Sequence, residues 1–279
     1  MAHPSAGRRW PVKLSVQDSL IPGADVVERM RTAARLGFDA IELRSAEVLA
    51  APENLLRNIG GLPLAVSSIV TNPQQDPVVE EREVRESRLS AWRDLIRAAA
   101  DLGARGIVMV PIRRPHRLPD LTPLYTSSEL ELALLYRILD VLVPQAEQRG
   151  VALWLEPLNF YEAMLVTTLG KATEICRQVG SPALRLMADT FHMNIMEPDP
   201  LASLREAAPY LDHVHLSDSN RRLPGQGHIA FGPLLAALQE SGYNGYLALE
   251  AIVPAEPERE VAASLHYLRG AEASVKRRA

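Results

Sequence analysis

Leu132 to Glu156 reads LALLYRILDVLVPQAEQRGVALWLE, and this stretch sets how the rest of the chain is parsed. Leu132, Leu135, Ile138, Leu139 and Leu142 recur at the three- and four-residue spacing of one helix face. Arg149-Gly150 follow, with the glycine where a left-handed helix C-cap is usual, and VALWL then reads as a short buried strand. Working outward, similar short β-like runs occur at Val12–Val16, Ala40–Leu43, Ala65–Val70, Gly106–Val110, Val151–Leu155, Leu184–Ala188, Val214–Ser217 and Tyr246–Leu249. Helical patterns separate them, such as Val26, Met30, Ala33 and Ala34 before Leu36-Gly37, and Gly103, Gly180 and Gly242 close others. Eight βα units without a linker or composition break predict α/β architecture: one closed parallel (β/α)8 barrel over 12–275. An open doubly wound sheet is the competing arrangement. Residues 1–11 carry no pattern and are expected to be a disordered tail. Pro257 to Val275 reads as a closing helix with Lys276-Arg277-Arg278 at its negative end.

Composition removes several function classes. The 279 residues are 47% hydrophobic, which is enough for a large core. Thirty Lys+Arg against 34 Asp+Glu give a formal charge of −4, so neither nucleic acid nor an anionic membrane is an expected partner. Cys176 is the single cysteine, so no intramolecular disulfide is available, and MAHPSAGRRW lacks the apolar run of a signal peptide. A cytoplasmic protein is the expectation.

A parallel barrel places chemistry at the C-terminal ends of its strands. Glu156 ends VALWLE, Asp189 ends LRLMAD, His215 lies in HVHLSD and Glu250 ends YLALE, so four different strands send acids and an imidazole to one rim. One acid after a strand is commonly a helix N-cap or a solvated turn. Four together point to a divalent metal, and oxygen ligands with one imidazole suit Mn²⁺, Mg²⁺ or Co²⁺ better than Zn²⁺. Strand parity puts His213 on the same side as His215 but a layer deeper, where it reads as a hydrogen-bonded core histidine.

The motifs carry a family resemblance. EPLNFYE (Glu156–Glu162), DTFHMNI (Asp189–Ile195), HVHLSDSNR (His213–Arg221) and PGQGHIAF (Pro224–Phe231) resemble the sugar isomerase/epimerase branch of the xylose isomerase-like TIM barrels. The ketose 3-epimerases, acting on tagatose or psicose, are the most similar group. The resemblance implies one divalent metal per chain, Mn²⁺ first, bound by Glu156, Asp189, His215 and Glu250. It also implies that Glu162, His192 and Arg221 contact the substrate's hydroxyl and carbonyl oxygens, and that the chain forms a homodimer or homotetramer. Two positions depart from the family: Phe160 stands where arginine is common, and Ala230 where an acid is usual.

A ketose epimerase must stabilise the cis-enediolate formed when the proton beside the carbonyl leaves, a task for the metal's charge. It must then return a proton to the opposite face, which assigns Glu156 and Glu250 as an acid/base pair across the mouth. On the same reading His192 orients Glu162 and a substrate hydroxyl, and Arg221 donates to enediolate oxygen. Arg113, Arg114, His116 and Arg117, in the loop from Pro111 to Ser128, offer a second possibility, a phosphorylated sugar. The rival functions are an aldose–ketose isomerase of the hydroxypyruvate isomerase kind, a lyase or dehydratase on an oxidised sugar or inositol, an endonuclease IV-like nuclease, and a non-catalytic sugar-binding barrel.

Overall fold

The computed structural model describes residues 12–50 and 52–276; the N-terminal segment expected to be disordered, and the terminal Arg277-Arg278, lie outside them. The strands are β1 (Lys13–Gln17), β2 (Ala40–Arg44), β3 (Ala65–Val70), β4 (Gly106–Met109), β5 (Ala152–Leu155), β6 (Leu184–Asp189), β7 (Leu211–Leu216) and β8 (Tyr246–Leu249). They pair in chain order and close as a barrel. The closing contact is parallel, running from Lys13 opposite Tyr246 to Val16 opposite Leu249. This pairing excludes the open doubly wound sheet, whose edge strands have no partner.

All eight expected runs fall on strands, but β7 begins at Leu211 rather than Val214. The local sequence conceals that start because Asp212 and His213 are polar. Tertiary partners satisfy both: Asp212 accepts from Arg105 and from the Trp154 indole, and His213 meets Glu42. The helices follow their local signals. Val26–Leu36 is capped by the Asp25 side chain and ends at Gly37, whose φ of 97° is costly for any residue with a Cβ. Ser127–Arg149 opens on a capping box of Thr126 and Glu129 and ends at Gly150. Among the described residues no helix is long and apolar enough to cross a membrane.

Alternation along the strands divides the interior in two. Leu14, Val16, Ile41, Leu43, Ile107, Leu153, Leu186 and Leu247 join the continuous core between the strands and the surrounding helices. The opposite faces fill the barrel axis, where Val108, Trp154 and Met187 form a separate apolar cluster. Trp154 is fully buried, its indole stacked on His213 at 4.5 Å and 8°. The neighbouring strand makes room with a glycine: a Cβ at Gly106 would lie well inside contact distance of the indole ring. Above this plug, toward the C-terminal mouth, the axis turns polar, with Ser15, Gln17, Glu42, Ser68 and His215 all buried.

Gly106→Ala is expected to overpack the barrel axis and to lower stability by about 1–3 kcal/mol. Urea unfolding followed by Trp fluorescence measures it. An unchanged midpoint would show that the indole is not fixed by this contact.

Candidate metal centre and active site

Four strands bring residues at or beside their C-terminal ends together. Glu156 and Glu250 each stand one residue beyond β5 and β8, Asp189 is the last residue of β6, and His215 lies in β7. One ligand atom from each of the four can be chosen so that all lie within 4.8 Å of one another. The set is three carboxylates and one imidazole, as read from the sequence. His215 Nδ1 is buried and lacks a hydrogen-bond partner: it lies 2.9 Å from Glu250 Oε2, misaligned for a hydrogen bond, and 3.9 Å from Glu156 Oε1. Three carboxylates facing an orphaned imidazole nitrogen fit a divalent cation.

Asp189 does two jobs. Its Oδ1 caps the short helix Thr190–Met196 by accepting from the N–H of Phe191 at 2.7 Å, so the bland expectation for an acid after a strand also holds here. Its Oδ2 faces Arg221, which donates to it at 2.5 Å and to Glu250 Oε2 at 2.8 Å. The arginine therefore bridges two of the three clustered acids, a place that the sequence did not reveal. It reaches them from a left-handed backbone with φ of 60°, the one positive φ outside glycine among the described residues. Its own N–H donates to Asp218 O, and its carbonyl accepts from Ile252 N–H at 2.8 Å. Such a conformation costs on the order of 1 kcal/mol and persists where surrounding contacts fix it.

The electrostatics separate the two glutamates. Burial, and then the Glu250 carboxylate, push Glu156 up to about 8. Burial acts on Glu250 in the same direction, but Arg221 and His215 overcome it and hold that carboxyl well below its usual range. Burial disfavours charge on His215, yet Glu42 and Glu250 raise it well above an ordinary imidazole. In the metal-free protein the two glutamates are thus driven in opposite directions, Glu156 toward the neutral acid and Glu250 toward the carboxylate.

Residues 30–271 match the family described as the xylose isomerase-like TIM barrel. The chain belongs to this family. It is 28% identical over 264 residues to the 3-dehydro-D-guloside 4-epimerase of Escherichia coli (strain K12), covering 92% of this chain and 99% of that one. A stretch of 108 residues is 39% identical to the D-psicose 3-epimerase of Ruminiclostridium cellulolyticum, spanning 39% of this chain and 37% of that enzyme. The apo crystal structure of an E. coli 3-keto-D-glucoside 4-epimerase superposes with a TM-score of 0.85 at 26% identity, over 93% of this chain and all of the other. These relatives are sugar epimerases, which is the isomerase class expected from the sequence.

In this xylose isomerase-like barrel the three expected substrate contacts sit around the same mouth, with one change of relation. His192 is buried, and its Nδ1 accepts from the backbone N–H of Asn159 at 3.1 Å. An N–H can only donate, so the neutral ring carries its proton on Nε2. Burial lowers His192, which keeps it neutral. Glu162 is half exposed and 4.0 Å from that ring. The expected direct orientation of Glu162 by His192 is replaced by a bridge, because the Asn159 amide donates to Glu162 Oε1 at 3.0 Å and also meets His192. Phe160, the departure from arginine, exposes its ring beside Tyr161. Ala230, the departure from an acid, leaves the helix Phe231–Glu240 without a side-chain cap.

The basic loop is largely occupied by its own fold. Arg113 pairs with buried Asp76, and His116 Nδ1 lies 2.7 Å from fully buried Glu131, which also accepts the N–H groups of Arg117 and Leu118. Arg114 donates to the carbonyl of Phe160. Sequence reading missed three polar residues of the site: Gln17, Glu42 and Asn159. For the first two, parity was the available signal, since each is polar on the inward face of a strand whose other face is apolar. Asn159 lay inside a quoted motif but had no visible partner.

Removing the Arg221 charge should leave the acids it bridges uncompensated. Arg221→Met is expected to lower the stability of the metal-free protein by about 3 kcal/mol. Thermal unfolding with and without added Mn²⁺ checks this, and saturating Mn²⁺ should restore part of the loss.

Proposed function

We propose that this chain is a divalent-metal-dependent carbohydrate epimerase that inverts a hydroxyl-bearing carbon beside a carbonyl, with a ketose inverted at C3 as the substrate class. The single observation that carries the reading is the convergence of Glu156, Asp189, His215 and Glu250 on one point at the barrel mouth. A cation held by these four residues, Mn²⁺ by preference, supplies positive charge to substrate oxygens. The chain's own groups do the rest. Glu156 and Glu250 form the acid/base pair: one takes the proton beside the carbonyl and the other delivers one to the opposite face. Their roles exchange for the reverse substrate. His192 offers its Nε2 proton to a substrate oxygen, Glu162 accepts from a hydroxyl, and Arg221 supplies guanidinium donors at the side of β7. Buried walls keep bulk water from the acid and the base, which strengthens each of these contacts.

The ketose reading is supported by the 39% identical stretch shared with the D-psicose 3-epimerase. A second reading, inversion at C4 of a 3-keto sugar unit, is favoured by the end-to-end similarity to the 4-epimerase. Both need proton removal from a carbon next to a carbonyl, so the same residues serve either. Incubating Mn²⁺-loaded protein in D₂O with free ketohexoses and with 3-keto-glycosides separates them. Deuterium at C3 of a free ketose is the expected result, deuterium at C4 of a keto-glycoside establishes the second reading, and no incorporation in either set refutes the epimerase.

Glu156→Gln and Glu250→Gln should each reduce kcat at least about 100-fold, the range of one acid/base group. Stopped turnover with bound metal would support the pair, and appreciable activity in both variants would sink the two-base scheme. Cation binding should also depend on pH. Glu156 is protonated below about 8, and a ligand must lose its proton to bind. Mn²⁺ affinity is therefore expected to tighten as pH rises from 6 toward 8, with uptake releasing at least one proton. Calorimetry in buffers of different ionisation enthalpy measures that release, and a pH-independent affinity would contradict it.

A further inference from the structure

Resting on that metal-centre reading, we propose that Gln17 on β1 and Glu42 on β2, strands that supply no ligand, are positioning residues for the cation. Glu42 fixes the His215 ring so that Nδ1 faces the ion, and Gln17 ties Glu42 to the acid/base glutamate Glu250.

The geometry is specific. His215 Nε2 lies 3.0 Å from Glu42 Oε1 and 3.1 Å from Oε2, and both side chains are fully buried. A ring that donates from Nε2 to a carboxylate presents the Nδ1 lone pair on its other side, where Glu156 and Glu250 stand. The Gln17 amide donates to Glu42 Oε1 at 3.0 Å and to Glu250 Oε1 at 2.8 Å, so one NH₂ group spans the support and the site. Ser68 donates to Glu42 Oε2 at 2.7 Å, and the Ser67 and Ser15 hydroxyls continue the chain. The pairing of β2 with β3 shifts register between Ile41 and Glu42, next to the supporting acid. Irregularities of that kind re-aim a side chain.

A merely structural carboxylate is a poor explanation. The same axis is filled one layer away by Val108, Trp154 and Met187, so the barrel packs without a charge there, and an unpaired buried charge is costly. Glu42, His213 and His215 also bring ligand atoms within 4.8 Å of one another, as a second ion would need. However, the Glu42 oxygens already receive Gln17, Ser68, His213 and His215, and His215 is committed by its other nitrogen to the first site. The arrangement supports one ion from behind.

Mn²⁺ titration of the full-length wild type and of Glu42→Gln, Gln17→Met and Ser68→Ala tests the proposal, alongside circular dichroism and thermal unfolding of each metal-free protein. Glu42→Gln is expected to weaken Mn²⁺ binding by about 10–100-fold, and Gln17→Met by roughly tenfold, with secondary structure retained. Ser68→Ala removes one donor and leaves the Glu42 charge, and should shift affinity by only about a few-fold. In Mg²⁺-loaded protein the ¹⁵N shifts of His215 should report a proton on Nε2 in the wild type and a mixed or reversed pattern in Glu42→Gln, a signature that general destabilisation does not produce. If Glu42→Gln does not fold, Gln17→Met decides. A wild type that binds while the folded variants stay within about twofold of it overturns the positioning role alone. A wild type without affinity for either ion overturns the metal centre, and this role with it.

Discussion

Like charges crowd the mouth of this barrel, and most of the local architecture can be traced to managing them. Glu42, Glu156, Asp189 and Glu250 are packed around a single imidazole, and two unit charges about 4 Å apart repel by about 4 kcal/mol even at an effective dielectric of about 20. The chain answers in three ways. Arg221 spans Asp189 and Glu250, Glu156 keeps its proton, and Glu42 is surrounded by donors from β1, β3 and β7. The groups involved come from several strands and from the loop that follows β7. A closed barrel gathers them with short elements, because successive strands present their ends to one shared rim.

The part of this design that was legible in the sequence is the part written at fixed spacing. The strands announced themselves as apolar runs between helical stretches, and the four acidic and imidazole residues stood where those runs ended. His213 was read by parity as a core histidine, and it is fully buried, stacked on Trp154 and bonded to Glu42. What stayed hidden was relational. A lone glutamate in AIEL means little until the barrel closes and carries β2 round to face β7, 171 residues away in the chain. The bridge of Asn159 between Glu162 and His192 likewise exists only once the loops after β5 and β6 meet. Arg221 was visible as a cation near the site, but its lodging between two acids depends on a left-handed turn that nothing in SNRR signals.

The loops around the mouth divide into supports and open ground. Between β4 and its following helix, Arg113 and His116 are spent on Asp76 and Glu131, so much of that basic run braces the loop itself. Arg114 reaches the carbonyl of Phe160 and its N–H meets the carbonyl of Glu162, which joins this loop to the one carrying Asn159 and Glu162. Leu124, Tyr125, Phe160 and Tyr161 stay exposed on these same two loops. The clustered carboxylates and imidazole stand at strand ends, whereas these loops are where this chain departs from the family pattern.

The indole of Trp154 has a further consequence. It seals the barrel beneath the charged layer, pressed against Gly106 on one side and His213 on the other. Val108, Trp154 and Met187 are fully buried there, which leaves Glu156 and Glu250 to meet solvent from the C-terminal mouth. On the proposed epimerase reading, a sugar seated in that mouth would stand between these glutamates and the medium, and a hydrogen ion lifted from one face would be held back for as long as the ligand stays.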